Sequence, residues 1–80
     1  MIESVVLARL GDTVDEVVVL DWLVNDGDVV REGDPLVRVE TDKVEIDVVS
    51  PFAGVVMDRL VAEGDEVSTG SLLCRIEMAT

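Results

Sequence analysis

Hydrophobic and polar residues alternate along much of this chain. Val37, Val39 and Thr41 alternate with Arg38 and Glu40, and Val44, Ile46 and Val48 alternate with Glu45 and Asp47. A period of two sends successive side chains to opposite faces, the mark of a half-buried β-strand. No segment carries an apolar period of 3.6 residues, so helices are not expected. Turn clusters separate the runs: Asn25-Asp26-Gly27-Asp28, Glu32-Gly33-Asp34-Pro35, Ala62-Glu63-Gly64-Asp65 and Thr69-Gly70-Ser71. The pattern predicts eight short strands, near 4–9, 16–24, 28–31, 36–41, 44–50, 54–61, 65–68 and 72–77. Strands this many and this short point to an all-β sandwich or flattened barrel.

The pattern also repeats. A shift of 37 residues lays Val18–Glu40 on Val55–Glu77, and 12 of the 23 positions are identical, among them Gly27/Gly64, Asp28/Asp65, Gly33/Gly70 and Leu36/Leu73. Solenoids and propellers need at least three units. Two units predict one domain, residues 1–80, with approximate two-fold symmetry. The paired turn glycines mark backbone with φ > 0, and the paired aspartates mark local hydrogen bonds. Cys74 matches Val37, which predicts a buried structural thiol. Trp22 matches Arg59, which predicts a less symmetric, partly exposed position. Pro51 is expected to bend the chain out of the strand ending at Ser50.

Composition narrows the chemistry. Eighteen of the 80 residues are valine and only Trp22 and Phe52 are aromatic, so the core is thin and aliphatic. The net charge of −12 argues against nucleic acid and against an anionic membrane surface, since both are bound through Lys and Arg. With one cysteine and no histidine, no intrachain disulfide, zinc site or Cys–His nucleophile pair is available. No catalytic constellation is visible. No signal-peptide pattern or long apolar run is present, and acids recur from Glu3 onward.

Lys43 is the only lysine. Two alternating runs meet at Asp42-Lys43, which predicts a β-hairpin with these two residues at its tip. A two-residue type I′ turn favours Asn-Gly or Asp-Gly, and lysine at φ > 0 costs energy. A lysine at such a tip therefore points to a use for its side chain. A single exposed amine on four methylenes suits an amide-linked carrier arm, and having one lysine keeps modification to one place.

The stretch Glu40-Thr41-Asp42-Lys43-Val44, followed by Ser50-Pro51 and Ala53-Gly54-Val55-Val56, resembles the lipoyl-domain signature of 2-oxo acid dehydrogenase complex acyltransferases. The likeness runs through the Gly-Asp turns of both halves. It implies a flattened barrel of two four-stranded antiparallel sheets with quasi-two-fold symmetry, and lipoate on Lys43. It further implies that Glu40, three residues before the lysine, and Gly27, in a neighbouring turn, guide the lipoylating enzyme. Asp42 and Val44 flank the lysine where biotinyl domains carry methionines, so the resemblance favours lipoate over biotin. Leu10-Gly11-Asp12-Thr13-Val14-Asp15 resembles the loop that helps the decarboxylase recognise its substrate.

In that family a lipoate ligase or octanoyl transferase modifies the lysine. A thiamine-diphosphate decarboxylase then acylates the arm, an acyltransferase core passes the group to coenzyme A, and a flavin-dependent dihydrolipoamide dehydrogenase reoxidises it. The resemblance thus implies a carrier that is not itself an enzyme, monomeric when isolated, in the bacterial cytoplasm or, alternatively, the mitochondrial matrix. The abrupt end at Thr80 suits a piece of a longer acyltransferase as well as a whole small protein. A biotinyl carrier, a glycine-cleavage carrier and a non-carrier interaction module remain alternatives, separated by what becomes attached to Lys43.

Overall fold

The computed structural model describes residues 1–8 and 16–78, and the expected strands form there: β1 (Ile2–Val6), β2 (Glu16–Trp22), β3 (Val29–Val30), β4 (Pro35–Glu40), β5 (Glu45–Val49), β6 (Gly54–Arg59), β7 (Glu66–Ser68) and β8 (Leu72–Glu77). β1 begins two residues earlier than the alternation suggested, because Ile2 pairs with Glu77. β2 ends earlier, at Trp22 rather than Val24. After Leu23 the chain leaves its sheet, so that the Gly27 amide can reach the Val56 carbonyl at 2.7 Å.

The strands form two antiparallel sheets, ordered β1-β8-β6-β3 and β5-β4-β2-β7. The 37-residue shift maps β2, β3 and β4 onto β6, β7 and β8, and so one sheet onto the other. Even the irregularities repeat: the register shift between Val19 and Asp21 of β2 recurs between Val56 and Asp58 of β6. Bulges increase strand twist, so the two sheets share the same curvature. The crossing contacts repeat as well, with Gly27 N–H to Val56 O and Gly64 N–H to Val19 O both at 2.7 Å. Both glycines sit at φ 92°, where any side chain is strained. Asp28 and Asp65 each accept from the amide three residues back, Asn25 and Ala62, at 2.8 Å.

The core between the sheets is aliphatic, as composition required. Repeat-mates Val19/Val56, Leu36/Leu73, Val37/Cys74 and Val39/Ile76 are all buried, together with Val5, Leu7 and Val17. Trp22 and Phe52 only pack against its rim. The Trp22 indole N–H donates to Val61 O at 2.9 Å, and the Arg59 guanidinium lies 6.0 Å from the ring centroid. Trp22 thus meets its own repeat-mate across the pseudo-two-fold. It stands at the end of β2 away from the β4–β5 hairpin, and Arg59 at the end of β6 away from Met1 and Met78. The hairpin and the Met1–Met78 pair consequently occupy opposite ends of a molecule measuring 38 × 22 × 17 Å.

Cys74 is wholly buried, and desolvation, aided by the Asp26 carboxylate, raises its thiol from 9.0 to about 11. The folded state therefore holds this proton more tightly than the unfolded chain. The stability it contributes is complete below pH 9 and is lost as pH rises from 9 toward 11. The folded protein at pH 8 is expected to be inert to a thiol-specific disulfide reagent and to react with it fully in denaturant. Rapid reaction of the native protein would show that the core opens at Cys74.

Candidate functional site

The β4–β5 hairpin places Asp42 and Lys43 at its tip, as the alternating runs predicted. Its turn chemistry differs from the expected type. Neither residue takes positive φ; among the described residues only glycines do. The reason is Thr41, buried beneath the tip. Its amide donates to Val44 O at 2.8 Å. Its hydroxyl donates to Val44 O at 3.1 Å and accepts from the Lys43 and Val44 amides at 3.2 and 3.1 Å. A threonine side chain so placed mimics a backbone turn, and the lysine keeps ordinary backbone geometry.

Lys43 is exposed, and among the described residues its ammonium forms no salt bridge. Its neighbours Asp42, Val44 and Glu40 are exposed too. Glu40 pairs in register with Glu45 on β5 and Val18 on β2. Like charges directly opposite each other across a sheet are destabilising, so this pairing adds nothing to the stability of the hairpin.

A shallow groove of about 290 Å³ runs along the hairpin base, lined by Val17, Val18 and Thr41 and by the carboxylates of Glu16, Glu40, Asp42 and Glu66. Glu16 and Glu66 escaped the sequence reading. Pairing of β2 with β7 brings them here, and the one available signal was that Glu66 stands where its repeat-mate is Val29. Among the described residues no group of three or more acidic, Cys or His side chains could hold a metal ion.

Gly27 does not lie in a turn neighbouring the hairpin, contrary to expectation. Its turn hydrogen-bonds to Val56, whose partner Ile76 is two residues from Met78, in the half away from the hairpin. The turn on the hairpin's half is that of Gly64, bonded to Val19 beside the Val18–Glu40 pair. Sixteen residues of sequence separation concealed that the chain changes sheets at Asn25–Asp28. The segment Leu10–Asp15 lies outside the described residues; Glu16, which follows it, lines the hairpin groove.

This geometry suits an amide-linked prosthetic group. The chain's only lysine stands exposed at the hairpin tip between Asp42 and Val44, and its ammonium forms no salt bridge among the described residues.

Comparison with known proteins agrees. The biotin/lipoyl attachment family, described as "Biotin-requiring enzyme", matches residues 3–76. The dihydrolipoyllysine-residue acetyltransferase component of the pyruvate dehydrogenase complex of Mycobacterium bovis is 44% identical over 54 residues, covering 68% of this chain and 10% of that protein. The lipoamide acyltransferase component of the branched-chain alpha-keto acid dehydrogenase complex of Bacillus subtilis is 42% identical over 55 residues, covering 69% of this chain and 13% of that protein. The chain therefore spans only a small part of these curated relatives. The lipoyl domain of the 2-oxoglutarate dehydrogenase complex of Azotobacter vinelandii superposes with a TM-score of 0.76 at 26% identity, covering 96% of this chain and 98% of that domain. A single-chain, multi-domain long-chain acyl-CoA carboxylase shares the fold at a TM-score of 0.81 and 22% identity, over 99% of this chain and 7% of that one. With a family match over nearly its whole length, two symmetric four-stranded sheets and a lone lysine at a hairpin tip, the chain belongs to the biotin/lipoyl attachment-domain family.

Proposed function

We propose that residues 1–80 form a lipoyl-carrier unit with Lys43 as its attachment residue. The observation that carries this reading is the sole lysine, exposed at the hairpin tip of this fold. Asp42 and Val44 beside it favour lipoate over biotin, because biotinyl domains carry methionines there.

A lipoate ligase or octanoyl transferase presents an activated acyl group. The neutral Lys43 amine attacks its carbonyl carbon, the N–C amide bond forms as the activating group leaves, and the nitrogen gives up a proton. Glu40, Asp42 and Val44 flank the amine and supply the surface the enzyme reads. Removing the lysine charge takes the net charge from −12 to −13. The modified tip then presents the carboxylates of Glu40 and Asp42 without the lysine charge and is steered toward basic rims around partner active sites.

When bound, lipoate supplies a dithiolane that accepts acyl groups and electrons. The protein's contribution is presentation: a tethered arm on a rigid hairpin makes each transfer quasi-intramolecular. The partners are the thiamine-diphosphate decarboxylase, the acyltransferase core and dihydrolipoamide dehydrogenase of a 2-oxo acid dehydrogenase complex, in a bacterial cytoplasm. Leu10–Asp15 is the segment proposed to be read by the decarboxylase.

The test is the intact mass of the chain after co-expression with a lipoate ligase and lipoate, beside a Lys43→Ala control. One lipoyl adduct, absent from the control, is expected. An unmodified mass overturns the reading and moves the question to biotin ligase, and then to a non-carrier module.

Glu40→Gln separates recognition from folding. Removing one of two facing carboxylates, Glu40 and Glu45, is expected to leave stability unchanged or raise it by a few tenths of a kcal/mol. Lipoylation is expected to slow. A loss of melting temperature in this variant would return Glu40 to the fold.

A further inference from the structure

Buried polar side chains need partners, and Thr41 and Ser50 are the two polar residues buried among those described. Ser50 serves the bend into β6, bonding through its hydroxyl to the Phe52 carbonyl and amide. Thr41 serves the hairpin tip.

The internal symmetry shows what the scaffold supplies without it. The repeat-mate of Thr41 is Met78, whose amide donates to Met1 O at 2.7 Å just as Thr41 N–H donates to Val44 O at 2.8 Å. Both ends of the molecule are thus closed by the same backbone bond. Among the described residues, the end that bears Lys43 adds a hydroxyl where the other end has the Met78 side chain. That hydroxyl is the one protein acceptor, among the described residues, for the Lys43 and Val44 amides. Four residues connect Glu40 to Glu45, a length most often built around a type I turn, and neither Asp42 nor Lys43 takes positive φ. The side chain of Thr41 therefore ties down two tip amides that the backbone ladder leaves without an acceptor. Its β-branch restricts χ1 and so holds the hydroxyl in place.

Building on the carrier reading above, we infer that Thr41 is the positioning residue for modification of Lys43. Its hydroxyl fixes the Lys43 backbone, and the amine leaves the sheet in one direction when the lipoylating enzyme closes on the hairpin. Thr41 itself lies beneath the tip and touches neither enzyme nor acyl group.

The test measures lipoylation of the purified chain by a lipoate ligase with lipoate and ATP, for the wild type, Thr41→Val and Thr41→Ser. Misplacing a reacting group by about 1 Å can cost on the order of a hundredfold in rate. Thr41→Val, which keeps shape and loses the hydroxyl, is expected to lower kcat by roughly ten- to a hundredfold. Its KM for the domain should stay within about threefold, because Glu40, Asp42 and Val44 are untouched. Thr41→Ser is expected to recover kcat to within about threefold of wild type. Amide hydrogen exchange at Lys43 and Val44 should quicken roughly tenfold in the valine variant. Wild-type kcat in Thr41→Val, or a serine variant as slow as the valine one, overturns the inference. If Thr41→Val does not fold, Thr41→Ala takes its place under the same criteria. Should the wild type itself refuse lipoate, the proposed function falls, and amide exchange alone then decides the positioning. Unchanged exchange in Thr41→Val sinks it, and exchange quickened at Lys43 and Val44 alone upholds it.

Discussion

Lys43→Arg is expected to fold as the wild type does and to carry no lipoyl adduct at all. Lys43 is exposed and makes no salt bridge among the described residues, so its replacement removes no packing and leaves no buried group unpaired. Surface changes of that kind stay within about 0.5 kcal/mol. Arginine also keeps the positive charge at the tip, so the acidic groove formed by Glu16, Glu40, Asp42 and Glu66 faces the same local field. Only the nucleophile is lost, because a guanidinium remains protonated at every accessible pH. Intact mass and a urea melt read the two halves of this expectation separately. A residual adduct would place the attachment elsewhere. A lowered melt would make Lys43 part of the fold.

That contrast reflects what could be read in the sequence. Lys43 stood out because it was the only lysine and because two alternating runs converged on it. The eight strands and the two-fold arrangement were legible because a valine-rich alternation recurs at a fixed spacing, and a duplicated pattern folds into duplicated geometry. The bulges at Val19–Asp21 and Val56–Asp58 were not legible. A bulge interrupts alternation by one residue, and in a run as apolar as Val17–Leu20 the slip leaves no trace. Glu16 and Glu66 were missed because they meet only through the β2–β7 pairing, which joins strands about fifty residues apart. Gly27 was misplaced for the converse reason: it is close to Lys43 in sequence, but its turn belongs to the opposite sheet. Contacts made within a strand or hairpin can be read from pattern. Contacts made across the sandwich need the topology.

The same limit applies to the substitution expected to cost the most stability, Gly54→Ala. By the repeat, Gly54 corresponds to Val17, a buried valine on β2. Symmetry alone would let position 54 accept a larger side chain. The structure does not: a Cβ there would run into the Glu77 carbonyl oxygen, with Ile76 Cγ2 at 2.8 Å and the Glu77 carbonyl carbon at 2.9 Å. Those atoms belong to β8, which is paired with β1 on one side and β6 on the other. It cannot retreat without giving up ladder bonds on both edges. Overpacking of a tight site costs about 1–3 kcal/mol and occasionally more, and a clash with a doubly paired backbone belongs at the top of that range. For a domain of this size about 3 kcal/mol lowers the melting temperature by roughly 12–24 °C. Gly64→Ala is the control. Its Cβ would meet nothing within 4 Å, so its penalty comes only from the φ of 92°, about 1–2 kcal/mol. Thermal melts of the two variants should therefore rank Gly54→Ala well below Gly64→Ala. The reverse order would mean that β6 and β8 do not approach as closely at Gly54 as described, and that the two halves are more alike there than the structure shows.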